Sequence, residues 1–181
     1  RLHGVRELLS SKWGNLINRC CGPKFNLARG VSTFNSRSPE ELSQILTEGP
    51  TRKAFKSLVS QLDELPGYLH DHFTQFDTSG PLKQIWSIIN DTNTFVQLSE
   101  PWNKKGDEQD LIIYTAMEVA RILSILSQPV IPELSGKFLD RIDVSKERRS
   151  LRFAELGADA SYGQGSNVKG REVPISRIPL R

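Results

Sequence analysis

"QDLIIYTAMEVARILSILS", residues 109–127, decides the fold. Apolar residues occupy nearly every face of this stretch, and neither proline nor glycine interrupts it. A helix that is apolar all round is either surrounded by protein or set in a membrane. No run of eighteen apolar residues occurs anywhere in the chain, so no membrane span is expected. The stretch therefore reads as the central, most buried helix of a bundle.

The neighbouring segments supply the helices that would surround it. Downstream, "QPVIP" breaks the pattern, and Leu134, Phe138, Leu139 and Ile142 mark a closing helix over 132–142. Upstream, Leu82, Ile85, Trp86, Ile89 and Val96 form one stripe over 81–98, with the polar Asn93 inside it. The connector "EPWNKKGDEQD", residues 100–110, joins this helix to the central one. Residues 51–76 carry Phe55, Leu58, Leu62, Leu65, Leu69 and Phe73 in helical register, and Pro66–Gly67 predicts a kink or a division into two helices. "SPEEL", 38–42, is a helix start: Ser38 caps, Pro39 occupies the first turn, and Glu40 and Glu41 meet the positive end. Residues 23–38 are polar, rich in Ser, Asn and Gly, and read as a loop. Residues 2–21 place Val5, Leu8, Leu9, Trp13, Leu16, Ile17 and Cys20 at steps of three and four, and Gly22–Pro23 ends that helix. Beyond the bundle, "VSKERRSLRFAELG", 144–157, suggests short helical turns. No strand pattern of any length appears. The expectation is an all-α helical bundle of about five long helices over 1–157, with an irregular tail over 158–181, extended or loosely packed.

With 181 residues and 37% hydrophobic residues, the chain can bury a core. Its formal charge is +3 and its sequence pI is about 9.0, which permits a nucleic-acid partner without requiring one. The chain opens on Arg1 rather than Met, which suggests a piece of something longer or a processed product. Arg1, His3 and Arg6 suit a targeting peptide, but Glu7 and the direct run into a core-like helix argue against one.

Catalytic signals are poor. The only cysteines, Cys20 and Cys21, are adjacent, which disfavours a mutual disulfide, and no second pair completes a metal site. A reducing compartment is the simplest reading. His70 and His72 lie two apart, on different faces of a helix, and do not share a metal easily. "GQGSNVKG", 163–170, has glycines but neither the strand before nor the helix after that a phosphate loop needs. Neither a catalytic residue nor a metal ligand is assigned.

Binding signals are better. Asn15 and Arg19, four apart, share a helix face about a quarter turn from the apolar stripe, so they can reach outward while the helix stays packed. Asn offers a donor and an acceptor, and Arg a planar fork, which suits a base edge or a phosphate. An ordinary helix flank explains the same spacing. Trp102, in a polar connector, either staples the loop or offers a stacking face. Lys104 and Lys105 follow it and suit an RNA backbone, as they would any solvated loop.

Taken in order, "GNLINRC", "NTFVQLSEPWNKK" and "LIIYTAMEVARILSILSQPVIPELSGKFLDRI" resemble the C-terminal anticodon-binding domain of the methionyl-tRNA synthetases. The likeness covers residues 1–145. It rests on Asn15 and Arg19, on Asn93, Phe95 and Val96 before Pro101–Trp102, and on Pro129, Pro132 and Ser135. Further on, "GREVPISRI" is similar to a tail that some members carry back toward the catalytic domain, with Ile175, Ser176 and Arg177 replacing the usual Phe-Pro-Arg. The Ser-rich stretch at 30–38 and the lack of a further RNA-binding module look like the mitochondrial type. The resemblance implies that Asn15 and Arg19 recognise the first anticodon base of tRNA(Met) and that Trp102 stacks on unpaired bases. It implies that ATP and methionine are handled by a catalytic domain of the same polypeptide, whose His-x-Gly-His and Lys-Met-Ser-Lys-Ser signatures are not in this sequence. It therefore implies a fragment of a ligase, with no cofactor and no activity of its own. The same domain of a sibling synthetase for leucine, valine, isoleucine or cysteine is the alternative, as is a helical interaction module with no RNA role.

Overall fold

A computed structural model describes the backbone of residues 2–77 and 79–165 and the side chains from residue 10 onward. The expected Val5, Leu8 and Leu9 contacts, and Ile175, Ser176 and Arg177, lie outside the described residues. Among the described residues seven α-helices follow one another: α1 Leu2–Cys20, α2 Leu27–Phe34, α3 Pro39–Ile45, α4 Pro50–Thr74, α5 Ser79–Ser99, α6 Asp107–Ser127 and α7 Pro132–Arg141. Single 3₁₀ turns occur at Pro101–Asn103, Lys146–Arg148 and Leu151–Phe153. Among the described residues there is no strand. Four of the helices run 19–25 residues.

Helix α6 is the axis of the molecule. Every residue from Asp110 to Ser127 is buried. Helices α1 to α5 and α7 all pack against it. Asp107, Glu108 and Asp110 sit in its first turn, where the unpaired N–H groups and the helix dipole favour negative charge. No described helix is long and apolar enough to cross a membrane.

A helix buried on all sides must satisfy its polar side chains without water. Thr115 donates back to the Leu111 carbonyl at 2.7 Å. The Ser127 hydroxyl lies 2.9 Å from that of Ser135 and ties α6 to α7. The charged pair Glu118 and Arg121 is fully buried. Arg121 donates to Glu118 through Nε at 2.7 Å and Nη2 at 3.0 Å. It also donates to the carbonyls of Phe153 and Glu155. Glu118 further accepts from the Tyr162 hydroxyl and the Gly157 amide, each at 2.7 Å. Burial, and then the adjacent Glu118 carboxylate, raise the Tyr162 hydroxyl well above its ordinary range, so it remains a donor. Gly157 has φ +76°, and a Cβ there would collide with the Asn35 carbonyl.

This network packs the described beginning of the expected tail, 158–162, against the bundle; residues 166–181 lie outside the described residues. Residues 153–162 are fastened to α6, and Asp159 and Tyr162 are buried. The sequence reading placed the boundary at 157, between two residues that the same carboxylate holds. Its polar anchors, Gly157 and Tyr162, carry no apolar periodicity.

Two further expectations change. The stretch 23–38 is not a loop throughout, because α2 lies inside it. The Asn26 side chain accepts from the Arg29 amide and caps the helix, while Leu27, Val31 and Phe34 are buried. Gly30 lets α2 approach α6 closely; a Cβ there would lie 3.0 Å from the Asp110 carbonyl and 3.1 Å from the Tyr114 Cβ. Arg29 then grips Asp110 with both arms of its guanidinium, at 2.5 and 2.9 Å. In addition, of the kink or division expected at Pro66–Gly67, the division does not occur: α4 runs through Pro66 as one helix. Phe55, Leu58 and Leu62 on one side of the proline, and Leu65 and Leu69 around it, share one buried stripe, and that common packing outweighs the lost hydrogen bond.

Arg121→Leu should cost about 3–5 kcal/mol, because it strands the Glu118 carboxylate in the core. Urea unfolding will read this. Tyr162→Phe, which removes one charge-assisted hydrogen bond, should cost about 1.5–3 kcal/mol.

Candidate nucleic-acid interface

Helix α1 turns Trp13, Leu16, Ile17 and Cys20 into the core. Trp13 packs on Phe138 of α7 with ring centroids 4.6 Å apart. That anchorage leaves Lys12, Asn15 and Arg19 exposed on the flank of α1 beside the apolar stripe. Helix α5 lies alongside with Ile85, Ile88, Ile89, Thr92, Phe95 and Val96 buried, and presents Asn90, Asn93 and Thr94 toward α1. Between the two helices runs an open groove of about 890 Å³ lined by Lys12, Asn15, Asn18, Arg19, Asn90, Asn93 and Thr94. Among the described residues its walls hold two cations, four amide side chains and one hydroxyl, and no carboxylate.

Trp102 stands beside Arg19, whose guanidinium lies over the indole at 5.7 Å from the ring centre. The turn that carries it is rigidly built. Glu100 takes a left-handed conformation at φ +46°, and Pro101 is buried. The Gln109 amide of α6 donates to the Pro101 and Lys104 carbonyls, both at 2.8 Å. The Trp102 side chain itself is 40% exposed, so the turn is stapled by Pro101 and Gln109 rather than by the indole.

Three of the residues singled out in the sequence thus come together: Asn15 and Arg19 line the groove, and Trp102 flanks it. The two lysines do not join them as groove-lining residues. Lys104 pairs with Glu108 at 3.7 Å, and Glu108 also accepts from the Thr47 amide and hydroxyl. Lys105 is exposed. The sequence reading missed Lys12, Asn18, Asn90 and Thr94. Asn90, Asn93 and Thr94 repeat at steps of three and one along "NDTNT", a polar interruption beside an apolar stripe, and Lys12 precedes Asn15 by one turn. Those spacings were the available signal.

The remaining candidates are structural. Cys20 and Cys21 are free and buried. Burial pushes the Cys21 thiol up to about 11, against a smaller opposing effect of Arg141, and burial raises Cys20 further. Neither is poised as a nucleophile. His72 is stacked on Tyr68 at 3.9 Å and bonded to its carbonyl at 2.8 Å, while His70 is exposed. Among the described residues no group of three or more His, Cys, Asp or Glu side chains is placed to hold a metal ion.

A family described as "Anticodon binding domain of methionyl tRNA ligase" matches residues 46–173. The chain belongs to this family. The matched span includes α4 to α7 and Trp102, and begins after Asn15 and Arg19. Relatives of the anticodon-binding family cover those positions too. The mitochondrial methionine–tRNA ligase of Saccharomyces cerevisiae is 49% identical over 182 residues, covering 100% of this chain and 32% of the relative. That of Candida albicans is 34% identical, covering 99% of this chain and 35% of the relative. The chain thus spans about a third of the length of these relatives. Among solved structures, the apo methionyl-tRNA synthetase of Mycobacterium tuberculosis is similar in fold, with a TM-score of 0.60 and 24% identity, over 83% of this chain and 29% of that one.

Without RNA, Trp102→Ala should change stability by about 1 kcal/mol or less, the scale of an exposed cation–π contact. Gln109→Ala, which releases two carbonyls at once, should cost about 1–3 kcal/mol. Urea midpoints of the two variants will separate the stapling residue from the presented one.

Proposed function

We propose that this chain is the tRNA-reading part of a mitochondrial methionine–tRNA ligase, and that its groove holds the anticodon loop of tRNA(Met). The ligase would attach methionine to that tRNA at the expense of ATP, through a catalytic domain of the same polypeptide. The compartment follows the names of the yeast and Candida relatives. The observation that carries the assignment is the groove between α1 and α5, lined by amides and cations and, among the described residues, by no carboxylate, with an exposed tryptophan at its edge.

The chemistry of these groups suits an unpaired RNA loop. Splayed bases are read by hydrogen bonds to their edges and held by stacking on aromatic and guanidinium planes. Asn15 would supply a donor and an acceptor to the first anticodon base, and Arg19 a donor fork. Trp102, half in water, would stack on a neighbouring base. Arg19 already lies over its ring, so the guanidinium and indole together form one platform. Lys105 is the stronger of the two lysine candidates for a backbone contact, since Lys104 is engaged by Glu108. The first helix is held by the core, so the readers are positioned before RNA arrives, which lowers the ordering cost of binding.

The test is a gel-shift or filter-binding comparison of a CAU stem-loop with one altered at the first anticodon base, at fixed salt. The unsubstituted chain should prefer CAU; equal affinity for the two would refute the assignment. Trp102→Ala should weaken binding of the CAU stem-loop by about 1–3 kcal/mol. Arg19→Ala should remove most of the preference.

A further inference from the structure

We propose that Lys12 is a phosphate-gripping residue of the groove, an ammonium held ready by Trp86 and Asn90 for the sugar–phosphate backbone of the bound loop. The inference rests on the RNA-reading assignment above and adds a residue that the sequence did not single out.

Lys12, Asn15 and Arg19 fall on one face of α1, at steps of three and four. Lys12 and Arg19 are seven residues, about 10 Å, apart along the helix axis. Each cation meets an indole. Arg19 lies over Trp102, which is exposed, while the Lys12 ammonium lies 4.7 Å from the centre of the half-buried Trp86 ring. Lys12 also donates to the Asn90 side-chain oxygen at 3.0 Å. No carboxylate lies within ion-pair distance of it among the described residues.

This arrangement differs from that of an ordinary surface lysine. A free lysine side chain has four rotatable bonds, and binding must order them. Here the ring face and the amide oxygen already do so. An ammonium has three donors, and Asn90 uses one, so two remain for an incoming acceptor. The compact, strongly hydrated point charge of lysine suits a phosphate oxygen, whereas the planar fork of Arg19 adds the two-pronged geometry that a base edge also accepts. The cation–π contact offsets part of the charge without neutralising it, as a carboxylate would. Lys12 and Arg19 thus stand at separate stations of one polar groove, one suited to the backbone and one to a base.

The test uses the full 181-residue chain, the CAU stem-loop and the stem-loop altered at the first anticodon base, over a salt series. Lys12→Met should weaken binding of both RNAs by the same factor and lower the slope of log affinity against log salt by about 0.7–1. It should leave the preference for CAU intact. Trp86→Leu keeps the ammonium but removes its platform; the loss should be smaller, and Lys12→Met/Trp86→Leu should bind no more weakly than Lys12→Met alone. Unchanged affinity and slope in Lys12→Met would overturn the proposal while leaving base reading by Arg19 untouched. A loss of the CAU preference in Lys12→Met would also overturn it, since the lysine would then be reading a base. If the unsubstituted chain bound both RNAs equally, base reading would fail, and the slope would still decide the role of Lys12. Thermal midpoints of all variants, matched to the unsubstituted chain, exclude misfolding as the cause.

Discussion

The fold depends on a single constraint: α6 is buried on every side and still carries charge. Leu111, Ile112, Ile113, Met117, Ile122 and Leu123 supply the apolar surface around which the other helices assemble. Glu118 and Arg121 would each be costly to bury alone. Together they saturate one another, and their remaining hydrogen-bonding capacity is met by the Phe153 and Glu155 carbonyls, the Gly157 amide and the Tyr162 hydroxyl. A buried ion pair is weak evidence for net stability. Its effect here is positional, because it determines where the chain after α7 must lie.

The same constraint reaches the groove. Because α6 occupies the centre, α1 and α5 pack side by side on its surface, and their outer edges form a cleft. The α5–α6 connector has to cross the end of that cleft. Gln109, in the first turn of α6, pins the crossing and leaves Trp102 facing outward beside Arg19. Asn15, Arg19 and Trp102 thus stand on a core-packed helix and one clamped turn, beside a second core-packed helix. Such pre-ordering is what an RNA-reading site needs if affinity is not to be consumed in ordering side chains.

Much of this was legible in the sequence. The all-round apolarity of 109–127 identifies the central helix, and the stripes of 81–98 and 2–21 identify the two that flank the groove. Asn15 and Arg19 were legible as an outward face, because core residues on the same helix fix its rotation. What was not legible depended on neighbours distant in sequence. Helix α2 hides among polar residues, since only Leu27, Val31 and Phe34 carry its apolar signal and Gly30 looks like a loop residue until α6 is beside it. The anchoring of Tyr162 depends on Glu118, 44 positions away. Lys12 gains meaning only once Trp86 and Asn90 are placed against it.

The most direct test of the central claim follows the indole N–H signals of Trp13, Trp86 and Trp102 and the side-chain amides of Asn15 and Asn93 by ¹H–¹⁵N NMR, during titration with a CAU stem-loop. Trp13 is fully buried and serves as an internal reference. Saturable shifts at Trp102, Asn15 and Asn93, with Trp13 unmoved, are the predicted result. Binding that leaves Trp102 and Asn15 unperturbed would contradict the account, because the RNA would then lie outside the groove between α1 and α5.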